Sequence, residues 1–305
     1  MTTRSSRRTA ATSATSSATS DDDARVSRAM EFAVEMRCGK CVETIERALR
    51  AIPGTTSARA TLSASTVVAE TSANSHEVMD VIRNCGYKVR LIGQGSTLPF
   101  GDALARELGT DARTLRQSLA CVGEFKGEKY AHGDARGVVR FVQVSEDVLV
   151  VEGAFDGLTT GAHAICVHEY GDVTAGAASA GEVYARDDDE RLKRANERSG
   201  FIGVVVADAS GAASMPSTVL TSALKAWDVI GRAVVVHASE RVETEGAIAA
   251  VLARSAGVGE NHKKLCQCDG TVIWEAGEDF LPVKVDAKDA NGGLLVKGTT
   301  TARRG

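Results

Sequence analysis

Two short stretches of this chain pair cysteines at spacings that chemistry can use. MRCGKC, near the N-terminus, carries Cys38 and Cys41, and KKLCQCDGTVIW, near the C-terminus, carries Cys266 and Cys268. A thiolate is the nucleophile of disulfide exchange and also a soft ligand for a soft metal. In an extended chain residues i and i+2 face the same side, so Cys266 and Cys268 present both sulfurs to one partner. They suit either a pinch on Cu(I) or a pair in which one thiol attacks and the other resolves. Lys263 and Lys264 just upstream favour thiolate formation, Gly270 gives the segment freedom, and Trp274 is placed to anchor its far side.

The first pair needs a scaffold, and the residues around it spell one. EFAVEM alternates apolar and polar residues as a half-buried strand does. Val42, Ile45, Leu49 and Ile52 then recur at helical spacing until Pro53-Gly54 stops them. TSARATL and STVVAET read as two strands, Val78, Ile82 and Cys85 mark one face of a second helix capped by Gly86, and YKVRLIG reads as a last strand. The order βαββαβ predicts an α+β, ferredoxin-like domain. Cys38 falls in the loop after the first strand and Cys41 in the first helical turn, where free N–H groups favour thiolate. Two thiolates in a solvent-facing loop suit Cu(I), whereas a structural zinc site wants four ligands and this stretch offers no second pair. A thioredoxin-like dithiol is the competing reading. It asks for a longer preceding βαβ pattern and a cis-proline, but the chain has only four prolines and Pro53 is a helix stop. Met36 is expected to anchor the loop in the core, and Cys85 to pack on its apolar face. With MRCGKC inside it, residues 29–93 resemble the heavy-metal-associated domain of copper chaperones, whose motif is M-x-C-x-x-C.

Residues 94–118 read as a linker with one short helical piece. From Leu119 to 259 the texture is β-rich: GVVRFVQV, DVLVVEGAF, HAICVHEY, FIGVVVAD and RAVVVHA are separated by glycine and acidic turns, which predicts an all-β antiparallel sandwich or barrel. RDDDERLKRANERSG is either a solvated loop or a short charged helix. Cys121, on the first of these strands, is expected in the core. GAHAICVHEYGD and WDVIGRAVVVHA resemble two copper-site strands of the Greek-key Cu/Zn superoxide dismutases. ARSAG followed by CQCDGTVIW resembles the end of the copper chaperones for superoxide dismutase, and that family has the same three-part order.

The resemblance carries expectations. A dismutase needs six imidazoles for its copper and zinc, and this whole chain holds six histidines: His76, His132, His163, His168, His237 and His262. His163 matches a structural position, Cys166 stands at a copper-ligand position, and VTAGAASAGEVYARDDDE offers no metal ligand of imidazole or thiol type. Ala249 and Gly246 stand where the enzyme's second disulfide cysteine and catalytic arginine belong. Dismutase activity and zinc in the central domain are therefore not expected. A weak residual site of Cys166, His168 and His237 stands against plain core packing. Freed of its metals, the domain is implied to dock the target as a dismutase subunit would, through Ile230, Gly231, Arg232, Leu252 and Arg254, and to form homodimers by the same patch.

The chain-wide numbers narrow the field. A net charge of -4 excludes a sequence-independent nucleic-acid binder, and no apolar run approaches the ~20 residues that span a bilayer. Seven cysteines, clustered and odd in number, fit metal or redox chemistry better than a secreted disulfide framework. Residues 1–28 begin Ser/Thr/Ala-rich with Arg4, Arg7 and Arg8 and no acid before Asp21, as an organellar transit peptide does, plastid ahead of mitochondrion. The expected protein is a non-enzymatic copper metallochaperone of chloroplast or cytoplasm. Cys38 and Cys41 acquire Cu(I), a central domain docks apo Cu/Zn superoxide dismutase as a heterodimer, and Cys266 and Cys268 in segment 260–280 pass copper or oxidising equivalents ahead of a flexible tail at 281–305. The alternatives are a divergent dismutase with a fused metal-binding domain and a protein that buffers or senses copper.

Overall fold

The computed structural model describes residues 26–259, apart from 98–99, 101, 117–118, 129–130, 187–198 and 222–223. Cys266, Cys268, the transit-type leader, the C-terminal tail and most of the charged stretch RDDDERLKRANERSG lie outside the described residues.

The first domain has the expected βαββαβ order: β1 (Arg28–Val34), α1 (Gly39–Arg50), β2 (Thr55–Thr61), β3 (Thr66–Thr71), α2 (Ser75–Asn84) and β4 (Val89–Gly95). Its antiparallel sheet runs β2-β3-β1-β4, so β1 is flanked on both sides and leads into the thiol loop from the middle of the sheet. Cys41, Ile45 and Leu49 recur every fourth residue and make the buried stripe of α1. Ile45 and Leu49 each gain about 1.5–3 kcal/mol from leaving water, as an upper estimate. They meet Met30, Phe32, Val67 and Ile82 in the core. Helix α2 is capped by Asn74, whose side chain accepts from the His76 N–H at 2.9 Å. It ends in a Schellman motif. Gly86, at φ +89°, donates to the Arg83 carbonyl, and Tyr87 donates to Ile82. That turn sends the chain back toward the start of α1.

Two short helices follow, α3 (Asp102–Glu107) and α4 (Ala112–Arg116), where the sequence suggested one. Leu104, Ala105, Leu115 and Leu119 bury a small core of their own, against which Trp227 packs.

The second domain is the antiparallel sandwich. One sheet has the order β10-β7-β6-β5-β13, from Ala213–Thr221, Val148–Asp156, Arg136–Gln143, Ala120–Lys126 and Ala253–Arg254; the other has the order β12-β11-β8-β9, from Ile248–Val251, Ala233–Val236, Gly161–Val167 and Phe201–Ala207. Between them lie Phe125, Phe141, Phe155, Ile165, Val167, Val234 and Val236. Cys121 is in this core, and burial raises its thiol pKa far above the ordinary value. Strand β10, ASMPSTVLT, is not among the strand-like runs named from the sequence, and its Pro216 would be disfavoured in a central strand. The structure tolerates it on a sheet edge, inside a register shift between Met215 and Thr218.

A candidate copper-thiolate site and a dismantled histidine site

Cys38 is the N-cap residue of α1, in extended conformation (φ −158°, ψ 169°), and Cys41 sits in the first turn. Both are free thiols with their Sγ atoms 3.2 Å apart, well beyond the ~2.05 Å of a disulfide. Cys38 is exposed, whereas Cys41 is 9% exposed and belongs to the hydrophobic core of the first domain. The pair thus has one sulfur toward solvent and one rooted in the fold. Met36 is buried in the same core, the anchoring role expected of it.

The Cys41 thiol is pulled down from 9.0 to about 7. The Arg37 backbone N–H contributes most, followed by the Cys38 side chain and the Tyr87 hydroxyl, against a small opposing effect of burial. Tyr87 titrates higher for the reciprocal reason, because its O–H donates to the Cys41 sulfur. Sequence reasoning did not single out Tyr87; the signal available was an aromatic residue directly after the helix-ending Gly86. Around the loop, Glu35 is held by Arg37 at 3.1 Å and Lys88 at 3.6 Å, both well exposed, which ties the strand end to the β4 side of the sheet. Cys85 is only half-buried, at the C-cap of α2, so it is not the fully packed residue its helix face suggested.

The second domain holds its histidines differently. His168 and His237 bring their Nε2 atoms to 3.3 Å. Each Nδ1 faces a backbone carbonyl, Gly181 at 2.8 Å and Glu243 at 2.7 Å, and so must carry the ring proton. Burial, the leading cause for both, lowers both pKa values and keeps the rings neutral. Two lone pairs therefore face each other beside a cavity of about 420 Å³ lined by Glu182, Glu243 and Glu245. Two donors do not make a copper or zinc centre. Among the described residues no three or more His, Cys, Asp or Glu side chains come together to hold a metal. Cys166 is fully buried and its thiol is pushed up to about 12, so it does not join the histidines as a third ligand. A dinuclear copper-zinc group does not fit the donors present. His163 binds the carbonyls of His237 and Thr159, both at 2.7 Å, as a structural brace.

The suggested docking residues divide. Gly231 and Arg254 are exposed, and Ile230 is partly buried against the core. Arg232 donates to the carbonyls of Asp228 and Glu169 and lies 3.9 Å over the Tyr184 ring, so it braces two loops. Leu252 does not lie on a surface at all. It is 0% exposed, at the step between β12 and β13, among the core residues between the two sheets.

Comparison with known proteins agrees with this division. Residues 31–88 match the heavy-metal-associated domain, and residues 135–256 match copper/zinc superoxide dismutase. The copper chaperone for superoxide dismutase, chloroplastic/cytosolic, of Arabidopsis thaliana is 40% identical, over 87% of this chain and 75% of the relative. The chloroplastic chaperone of Oryza sativa subsp. japonica is 36% identical, over 81% and 70%. The Rattus norvegicus chaperone is 32% identical, over 81% and 88%. With a thiol pair that has one sulfur exposed and one rooted in the core on one fold, and a dismutase-like sandwich that gathers two imidazoles but no third donor among the described residues on the other, this chain belongs to the copper chaperones for superoxide dismutase.

Proposed function

We propose that the chain is a non-enzymatic chaperone that carries Cu(I) on Cys38 and Cys41 and delivers it to apo Cu/Zn superoxide dismutase in the chloroplast or cytosol. One observation carries this reading. In the first domain an exposed Cys38 lies beside Cys41, whose thiol pKa is lowered, while the second keeps the sandwich but, among the described residues, gathers only two imidazoles. An exposed two-thiolate site gives up Cu(I) to an incoming thiol more readily than a closed four-ligand site does.

The second domain docks the target as a heterodimer, with Ile230, Gly231, Arg232 and Arg254 as the residues that reach or approach its surface, and the same face serves a homodimer. Cys266 and Cys268 complete the delivery. When they are joined as a disulfide, a target thiolate attacks one sulfur and displaces the other as thiolate. The target's second thiolate then breaks this mixed disulfide, leaving the target oxidised and the C-terminal pair reduced. Dioxygen is the oxidant that restores the pair.

The test mixes Cu(I)-loaded chain with zinc-loaded, reduced apo-dismutase and oxygen, and reads dismutase activity. Wild type activates, and Cys38→Ser/Cys41→Ser and Cys266→Ser/Cys268→Ser do not. Equal activation by wild type and the Cys266→Ser/Cys268→Ser protein removes the C-terminal pair from the mechanism. Tight Cu(I) binding without any activation favours copper buffering instead.

A further inference from the structure

The two domains meet on a charged seam. Glu152, on β7 of the second domain, is 2% exposed, and Arg28, the first residue of β1, is fully buried against it. Glu152 Oε2 accepts from Arg28 Nη2 and from the Ser75 backbone N–H at 3.0 Å. Its Oε1 accepts from Gln94 Nε2 at 3.1 Å. These donors come from the start of β1, the start of α2 and the end of β4, so one carboxylate gathers three elements of the first domain. The Arg28 Nη2 also donates to Ser217 Oγ at 3.1 Å, and Asn74 Nδ2 to the Met215 carbonyl at 3.2 Å, both on β10. Ser96 Oγ donates to the Val144 carbonyl at 2.6 Å.

This seam lies at the end of the first domain away from the thiols. Arg28 pairs with Thr71 at the entry of β1, whereas the thiol loop follows the exit of that strand, where Val34 bonds to Ser65 and Glu35 to Lys88. Polar interfaces between domains ordinarily allow relative motion. A buried ion pair adds little net free energy, because removing two charges from water costs about what their attraction returns. Its effect is on orientation, since each hydrogen bond tolerates only a narrow range of distance and angle. Arg140, opposite Glu152 on β6, adds a second cation beside the same carboxylate. Removing the Glu152 charge therefore leaves two guanidinium groups facing each other without their shared anion.

We infer that Glu152 is a positioning residue that clamps the first domain to the second in one orientation, presenting the thiol pair at a fixed place relative to the docking domain. The two domains then tumble as one body. Backbone 15N relaxation on the full chain tests this without copper or a dismutase, so its outcome is independent of the delivery reading. Wild type should give one rotational correlation time for residues 28–95 and 120–255. In Glu152→Gln the value for residues 28–95 should fall about twofold, as for a smaller domain moving on a tether. Should that variant not fold, Ser75→Pro takes its place. It deletes the N–H that Glu152 accepts but occupies the first position of α2, where proline suits a helix, and the preceding Asn74 already has the extended conformation proline requires (φ −70°, ψ 145°). Preserved amide dispersion in residues 28–95 shows that the domain itself is intact. Two separate times in wild type, or a single shared time in the folded variant, overturns the inference.

Discussion

The thiol loop and the histidine pair are both sets of potential metal donors, and the chain treats them oppositely. Cys41 is drawn down to about 7 by donors aimed at its sulfur, next to an exposed Cys38. In the second domain Cys166 is pushed up to about 12 by burial, and His168 and His237 have their Nδ1 protons committed to backbone carbonyls. The first arrangement supplies charge and access, which a transferable soft ion needs. Among the described residues the second supplies neither a third donor nor a thiolate. Possession of ligand-type residues is thus a poor guide to metal binding unless hydrogen bonding and exposure agree.

The largest test of this contrast removes donors on each side. Cys38→Ser/Cys41→Ser should lower Cu(I) affinity at the N-terminal site by more than about 100-fold in competition with a chromophoric chelator, since losing ligands exceeds the 10–100-fold typical of outer-shell changes. His168→Ala/His237→Ala should leave that affinity unchanged; a comparable loss there breaks the contrast. Next in size, Leu252→Ala should cost the second domain about 2–5 kcal/mol in chemical denaturation, as a core truncation. A loss of partner affinity at unchanged stability would instead place Leu252 on the docking surface.

The pH profile sharpens the thiol side. Alkylation of Cys41 should have its midpoint near pH 7, while Cys166 stays unreactive in the folded protein. Because the folded-state pKa of Cys41 lies below its ordinary 9.0, the associated stabilisation is fully present above about pH 9 and is lost as pH falls through about 7. Tyr87→Phe removes one donor from the sulfur and should slow alkylation of Cys41 at pH 6.5 by about threefold. An unchanged rate would mean that the backbone N–H groups suffice. The smallest effect belongs to the histidines. Their pKa values are depressed below 6.5, so the stabilisation they bring is present above pH 6.5 and lost as pH falls toward their folded values. The melting temperature of the second domain should begin to drop below that pH, and a flat profile would contradict their burial as neutral rings.

Much of this was legible in the residues. The period-four stripe through Cys41, Ile45 and Leu49 and the alternation in EFAVEM are local patterns, and they gave the first domain its element order and put the thiols at a helix start. What escaped depends on distant contacts. Strand β10 went unnamed, and its Pro216 is harmless only because β10 lies at a sheet edge. Leu252 was placed on a surface by resemblance, while the crossing from β12 to β13 between the two sheets puts it in the core. Glu152 carried no local signal, since Arg28 precedes it by 124 positions. Tyr87 is intermediate: a local turn aims it, but its target lies on another helix.

The path of the chain out of the second domain has a consequence for the C-terminal thiols. After Arg254 the backbone crosses to the first domain, where the Ala256 carbonyl accepts from Gln94 N–H and Gly259 donates to the Glu31 carboxylate at 2.7 Å. Only a glycine at position 93 permits this, since a Cβ there would come within 2.6 Å of the Gly257 oxygen. Cys266 follows Gly259 by seven residues, so covalent geometry keeps it within about 25 Å of an anchor on the copper-carrying domain. Any exchange between the two thiol pairs of one chain is therefore intramolecular, governed by effective concentration rather than by diffusion through bulk solvent.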